Sequence, residues 1–183
     1  MNKGIILFML MSAVCIFFSL HVLVKPKSHG FYRFFGWECL AWLLSCNYKF
    51  WVVDPFSVYQ ILSWILLVYS LYLAIFGVIL IKIKGKARNS RKDNTLYTFE
   101  KTTVLITSGI YHYIRHPLYA SLFFLAWGIC LKNITPVLLI VCTASSIFFI
   151  ATMLIEEKEN IRYFGEQYKE YMKKSRMIIP YVL

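Results

Sequence analysis

Several patterns that mark metalloproteins or nucleotide-binding enzymes are missing from this 183-residue sequence. It has no C-x-x-C pair and no Cys/His cluster with metal-ligand spacing, so we expect no bound metal. The cysteines lie in or beside apolar runs, which is typical of small buried hydrophobes rather than of disulfides or catalytic thiols. They are Cys15, Cys39, Cys46, Cys130 and Cys142. The sequence also has no G-x-G-x-x-G motif and no internal repeat.

Long apolar runs dominate the chain instead. Hydrophobic residues make up 59% of it, and the mean hydropathy is +0.60. Since about 20 apolar residues span a bilayer, this pattern predicts an all-α integral membrane protein with about five transmembrane helices. The predicted spans are 4–24, 34–53, 57–81, 117–132 and 134–155. The first is too long for the apolar core of a signal peptide, and the second is the weakest because polar residues interrupt it.

The last two spans are predicted to form a helical hairpin, because only a few residues separate them. Pro136 suits the first turn of the returning helix, and Asn133 or Thr135 suits its cap. Whether both arms cross the whole bilayer is left open. Beyond the hairpin, aromatic residues at helical spacing in 156–174 predict an amphipathic helix that either continues from the fifth span or lies on the membrane interface.

Acidic residues are scarce: nine Asp and Glu stand against 20 Lys and Arg, for a formal net charge of +11. Most basic residues follow the first, third and fifth spans, and the basic segment 82–103 is predicted to connect spans three and four. The positive-inside rule therefore predicts an outside N-terminus and a cytoplasmic C-terminus. We expect these cations to meet anionic lipid headgroups and not nucleic acid.

Polar, titratable residues lie at the mouth of the predicted hairpin. Pro117 places Arg115 and His116 at the N-terminus of the fourth span, where the helix dipole and free N–H groups favour an anion. Glu156 and Glu157 stand where the fifth span ends. A pocket with both signs of charge suits a zwitterion such as an amino acid. Taken alone, each of these features is also explained without a site, by the positive-inside rule for the arginine and by ion pairs with nearby basic residues for the glutamates.

These residues belong to a longer pattern that resembles a known family. It comprises the run from Thr103 to Tyr119 with R-H-P-x-Y, then Glu156-Glu157, then Phe164-Gly165 with Tyr168 and Tyr171. The pattern resembles the isoprenylcysteine carboxyl methyltransferases and, more distantly, the membrane phospholipid N-methyltransferases. It covers about 96–180, so we divide the chain into membrane helices in 1–95 and a methyltransferase-like region in 96–183.

The resemblance implies an integral membrane methyltransferase that binds S-adenosylmethionine on the cytosolic side. It implies cofactor contacts at Thr103, Val104, Leu105, Ile106, Tyr111, His116, Pro117, Leu118, Tyr119 and Glu156. Glu156 would bind the methionine ammonium, and the 103–106 backbone, Tyr111 and 116–119 would hold the adenosine and carboxylate. The resemblance also implies an arginine one turn before Glu156, where this chain has Thr152.

The acceptor is expected to be a lipidic or prenylated molecule that enters from the bilayer, with carboxylate O-methylation favoured. Arg115 or Arg176 is predicted to replace the missing arginine, and Glu157 or His116 to assist an amine acceptor as a base. Two alternatives remain: a membrane reductase with a nicotinamide cofactor, and a non-catalytic membrane scaffold. A bacterial inner membrane is favoured over endoplasmic reticulum.

Overall fold

The computed structural model describes residues 3–85 and 102–180, and within these ranges the regular structure is helical. A 3-10 helix, Gly109–His112, precedes α4. The six α-helices are α1 (Lys3–Leu23), α2 (His29–Asn47), α3 (Val58–Lys84), α4 (Pro117–Cys130), α5 (Pro136–Phe164) and α6 (Glu166–Lys174). The predicted boundary between 95 and 96, and most of the predicted basic connector 82–103, lie outside the described residues.

Local sequence explains where the helices begin. The hydroxyls of Ser28, Ser57 and Thr135 accept hydrogen bonds from backbone N–H groups in the first turns of α2, α3 and α5. Proline opens α4 and α5, at the position where its missing N–H costs nothing. The predicted cap at Thr135 and the predicted start of α4 at Pro117 are thereby confirmed.

The helices pack mainly in pairs. The principal contacts are α3 against α4, α2 against α5 and α1 against α2, and the core lies where these pairs meet. Close approach of α2 to α5 depends on Gly36, because a Cβ there would lie 2.6 Å from the ring of Phe149. This pairing brings the first half of the chain against α5, which carries the two glutamates.

Large apolar side chains remain exposed on the outer faces of α1, α3 and α5, as expected for contact with lipid. Within the described ranges, these three helices are long and apolar enough to cross a membrane. The shorter α4 has 14 residues. The predicted count of five spans therefore remains a prediction with respect to α2 and α4.

Two predicted spans differ most from the helices of the structure. The second span was predicted at 34–53, but α2 runs from His29 to Asn47 because Ser28 caps it early. The fifth was predicted to end at 155, but α5 continues through Glu156 and Glu157 to Phe164. Glu, Lys and Arg are good helix formers, so charge marks a change of environment there rather than the end of the helix.

Candidate active site

The segment 109–116 forms a 3-10 helix and a turn directly before α4. Gly109 has a φ of +66°, a left-handed conformation that favours glycine, and it opens the 3-10 helix. His116 is the N-cap residue of α4, with Pro117 directly after it. Tyr111, Ile114 and His116 are buried, whereas Tyr113 is exposed. The turn therefore directs Tyr111, Ile114 and His116 into the protein.

The end of the chain folds back onto this segment. Gly165 has a φ of +62° and separates α5 from α6. After α6, Arg176 pairs with Ile114 in a parallel bridge. The Arg115 N–H donates to the Arg176 carbonyl at 2.7 Å, and the Arg176 N–H donates to the Tyr113 carbonyl at 2.9 Å.

Arg115 holds three parts of the protein together. Its Nε lies 2.6 Å from Glu157 Oε1, and both side chains are less than 10% exposed. Its guanidinium also donates to the backbone carbonyls of Met172, at 3.3 Å, and Ser175. The predicted Arg115 and Glu157 therefore meet as a buried ion pair that fastens α6 to α5 and to the start of α4.

His116 lies between the two glutamates. Its Nδ1 is 4.0 Å from Glu156 Oε1, and its Nε2 is 3.5 Å from Glu157 Oε1. At that distance Nε2 is buried without a short hydrogen bond to any described residue. Glu156 keeps 18% of its side chain exposed, whereas Glu157 keeps 7%. Glu156 is thus the carboxylate that a ligand reaches more easily.

Glu156 also faces α2, which the sequence did not connect with the site. The Tyr119 hydroxyl hydrogen-bonds to Glu156, and His116, His29 and Arg33 attract it electrostatically. His29 is fully buried, and its Nδ1 lies 2.6 Å from Glu159 Oε2. Two basic residues of α2, His29 and Arg33, therefore lie close to the glutamates of α5.

A cleft opens beside Glu156, and residues from the start of α4, from α5 and from α6 line it. Eight of the ten predicted cofactor residues line it: Leu105, Ile106, Tyr111, His116, Pro117, Leu118, Tyr119 and Glu156. The other two, Thr103 and Val104, are not among the lining residues, and their N–H groups donate to the Gly85 carbonyl. Arg115 also lines the cleft.

Arg176 lies elsewhere. It lines a separate pocket with His112, Tyr113 and Lys174, its side chain is exposed, and it is not among the residues that line the cleft. Its predicted role with the acceptor remains a prediction that this position does not favour.

The tail supplies two tyrosines to the cleft wall. Tyr168 and Tyr171 are 3% and 6% exposed, and the Tyr171 hydroxyl donates to the Tyr111 carbonyl. Burial raises the pKa of both phenols, and the nearby Glu156 and Glu157 carboxylates raise the pKa of Tyr168 further. Both tyrosines therefore present neutral hydroxyls to the cleft at physiological pH.

Several lining residues were not identified as site residues from the sequence. Asn160 follows Glu156 by four positions, so the helical repeat alone could have placed it on the same face. Ile81 and Thr102 carry no such signal, because they reach the cleft only through the packing of α3 beside the 102–106 segment. Within the described ranges, no group of three metal-ligating side chains occurs.

Comparison with known proteins shows the family to which this chain is related. The family model described as "Phospholipid methyltransferase" matches residues 65–167, which is more than half of the chain. The protein is also similar to a methanethiol S-methyltransferase of Crocosphaera subtropica, with 30% identity over 42% of this chain and 29% of the relative.

Two protein-S-isoprenylcysteine O-methyltransferases are similar as well. The Xenopus laevis protein is 30% identical over 66% of this chain and 42% of the relative. The Dictyostelium discoideum protein is 39% identical over 42% of this chain and 33% of the relative. The chain thus spans less than half of each of these relatives, and no solved structure matches it. By the extent of the family match, this chain belongs to the phospholipid methyltransferase family.

Proposed function

We propose that this protein is an integral membrane methyltransferase that uses S-adenosylmethionine and methylates a lipidic or prenylated acceptor, with carboxylate O-methylation favoured. The observation that carries the proposal is the cleft itself, where partly exposed Glu156 stands beside His116 and neutral tyrosines. Family membership and the methyltransferase names of the relatives support it. Nothing in the described residues favours the reductase or the scaffold hypothesis.

The lining residues fit the amino-acid end of that cofactor. Its ammonium would be held by Glu156, the more exposed of the two carboxylates. Its carboxylate would be held near the start of α4, where His116 Nε2 is buried without a short hydrogen bond and the helix dipole favours an anion. Apolar Leu105, Ile106 and Leu118, with Tyr111, offer a surface for the adenosine.

When bound, S-adenosylmethionine supplies a methyl group activated by a sulfonium, which passes to a nucleophile in line with the breaking C–S bond. The protein has to align the two partners and keep water out. Tyr168 and Tyr171 contribute to exclusion of water because α6 packs them against the cleft wall. A carboxylate acceptor needs no base, so Glu157 can remain paired with Arg115.

We also propose that the cleft faces the cytoplasm. A cytoplasmic C-terminus places the cleft and the basic ends of α3 and α6 on the same side, where the cofactor is made. The acceptor then reaches the cleft from the bilayer, in a bacterial inner membrane. Anionic lipid headgroups would contact the basic residues around that end.

Calorimetric titration of S-adenosylhomocysteine into detergent-purified protein tests the function. Wild type should bind, and Glu156→Gln should weaken binding about 30-fold or more, or about 2 kcal/mol, because a buried ammonium would lose its carboxylate. Glu170→Gln is the matched control, since Glu170 is exposed and pairs with Lys173 away from the cleft. A folded wild type that does not bind would exclude the proposal.

A further inference from the structure

A second pocket lies where the tail meets the segment before α4. The residues that line it are His112, Tyr113, Lys173, Lys174 and Arg176. None of them lines the cleft, and the proposed methyl transfer gives none of their side chains a role. Three of the five are lysine or arginine and none is acidic, so the pocket favours an anion.

Two of the three cations are available to a ligand. The side chains of Lys174 and Arg176 are exposed, and no carboxylate of the described residues lies within ion-pair distance of either. Lys173 differs, because its Nζ lies 2.6 Å from Glu170 Oε1. The positive charge that a ligand would meet is therefore mainly that of Lys174 and Arg176.

The backbone holds the two sides of the pocket together. Arg176 pairs with Ile114 in a parallel bridge, and its N–H donates to the Tyr113 carbonyl at 2.9 Å. Lys174 ends α6 two residues earlier. On the other side, the His112 and Tyr113 rings meet edge to face, with their centres 4.9 Å apart. An anion would thus enter a pocket that is already formed, which lowers the entropy cost of binding.

The pocket lies at the level where α3 ends. Lys84, the last residue of α3, donates from Nζ to Ser108 Oγ at 2.7 Å. A Cβ at Gly109 would lie 2.8 Å from the Leu80 side chain, so the 3-10 helix that carries His112 packs against the last turns of α3. Since α3 is long and apolar enough to cross a membrane, its basic end lies near lipid headgroups.

Exposed apolar groups beside the pocket favour a lipid over a soluble anion. Tyr113 is 49% exposed, and Ile179, three residues after Arg176, is 37% exposed. Tyrosine is typical of the interface between membrane and water. The anionic group of a phospholipid is a phosphate, which a guanidinium can bind through two parallel N–H groups and a lysine through its point charge.

We propose that this pocket binds the phosphate of an anionic membrane lipid, held mainly by Arg176 and Lys174. The site lies outside the cleft, so its occupancy does not depend on the proposed function. A bound phosphate would join the tail to the segment before α4 beside the backbone bridge, and the tail also supplies a wall of the cleft.

Calorimetric titration of dioctanoyl-phosphatidylglycerol into the detergent-purified full chain, without S-adenosylhomocysteine, tests the inference. Wild type should bind the lipid. Arg176→Gln should weaken binding about tenfold, because charge-assisted hydrogen bonds to the phosphate are lost, and Lys174→Gln should weaken it in the same direction. Lys169→Gln is the matched control. Lys169 is an exposed lysine of the same helix that pairs with Glu166 and lines neither pocket, so this variant should bind within about twofold of wild type.

Arg176→Lys separates the geometry of the guanidinium from its charge. It should bind the lipid more tightly than Arg176→Gln and less tightly than wild type. Unfolding midpoints without lipid show which variants are folded, and Lys174→Gln decides the test if Arg176→Gln is not, because Lys174 lies outside the bridge.

Three results would overturn the inference. The first is a wild type that does not bind the lipid. The second is equal binding by wild type and the folded pocket variants, or equal weakening in Lys169→Gln, because the attraction would then be spread over the whole basic surface. The third is inorganic phosphate that binds as tightly as the lipid, because the pocket would then serve a soluble anion.

Discussion

Two cations flank α4, one two residues before Pro117 and the other two residues after Cys130. Arg115 at the first end pairs with the Glu157 carboxylate. Lys132 at the other end is 4% exposed, and its Nζ donates to Gln60 Oε1 at 3.0 Å and lies 3.7 Å from the centre of the Trp64 ring. In the described part of the chain, no carboxylate pairs with Lys132.

The helix dipole explains why the two ends differ. A cation at a helix C-terminus is favoured, so Lys132 needs only an amide oxygen and aromatic faces. A cation at a helix N-terminus is disfavoured, so Arg115 requires a carboxylate and the tail carbonyls to remain there. The cleft lies at the N-terminal end of α4, where the cation interacts unfavourably with the helix dipole. A locally unfavourable interaction that is retained at a cleft indicates a role in function rather than in stability.

Removing the cation at the cleft end should have the larger effect. Arg115→Met leaves Glu157 buried without its partner and removes the donor to the tail carbonyls, so we expect a loss of about 3–5 kcal/mol. Thermal unfolding in detergent measures it. In the double variant Arg115→Met/Glu157→Gln, the loss should be partly recovered, because no unpaired charge remains. A single variant as stable as wild type would contradict the role assigned to the pair.

Removing the cation at the other end should cost less. Lys132→Met leaves no buried charge behind, and the Gln60 amide oxygen loses its donor, so we expect about 1–3 kcal/mol. Lys132→Arg keeps the cation over the Trp64 ring and serves as the control. S-adenosylhomocysteine binding should stay unchanged in both variants. The comparison fails if Lys132→Met is as destabilising as Arg115→Met.

The tail contact at Tyr171 should have a smaller and more local effect. Tyr171→Phe removes the hydrogen bond to the Tyr111 carbonyl and should cost about 1 kcal/mol of stability. Because Tyr111 and Tyr171 both line the cleft, S-adenosylhomocysteine binding should weaken severalfold. Tyr59→Phe, at an exposed position on α3, should change neither property. If Tyr171→Phe changes stability and binding no more than Tyr59→Phe does, the Tyr171 hydrogen bond does not contribute to the cleft.

The surface pair on α6 away from the cleft should have the smallest effect. Lys173 and Glu170 lie 2.6 Å apart on the exposed face of α6. Exposed ion pairs contribute little at physiological salt, so Lys173→Ala should leave the unfolding midpoint unchanged. A clear shift would mean that the outer face of α6 takes part in the interaction with lipid or with the rest of the chain.

Local signals predicted much of the C-terminal region. Pro117 and Thr135 fixed two helix starts, since proline and a hydroxyl cap act within a few residues. The pairing of the segment at 115–116 with the glutamates of α5 also followed from the short turn between the helices. Each of these inferences used only residues in the predicted hairpin or directly beside it.

The contribution of α2 could not be predicted in the same way. The polar residues that interrupt the second predicted span are Glu38, Asn47 and Lys49. His29 and Arg33, which precede that span, are buried in the structure, with His29 against Glu159 of α5. Hydropathy cannot distinguish a charge that faces water from one that faces another helix. The end of α5 was predicted too early for a related reason, because Glu156 and Glu157 were taken to mark water when they mark the cleft.

Gly165 has a consequence for how the protein is made. Because α6 follows this residue, the cleft receives Tyr168 and Tyr171 from α6 and is fastened by the pairing of Ser175 and Arg176 with the segment before α4. During synthesis, the longer helices α1 to α5 are therefore complete before the last wall of the cleft is made. A nascent chain that stops after α5 lacks this wall, so the complete cleft forms only once the residues up to Arg176 have left the ribosome.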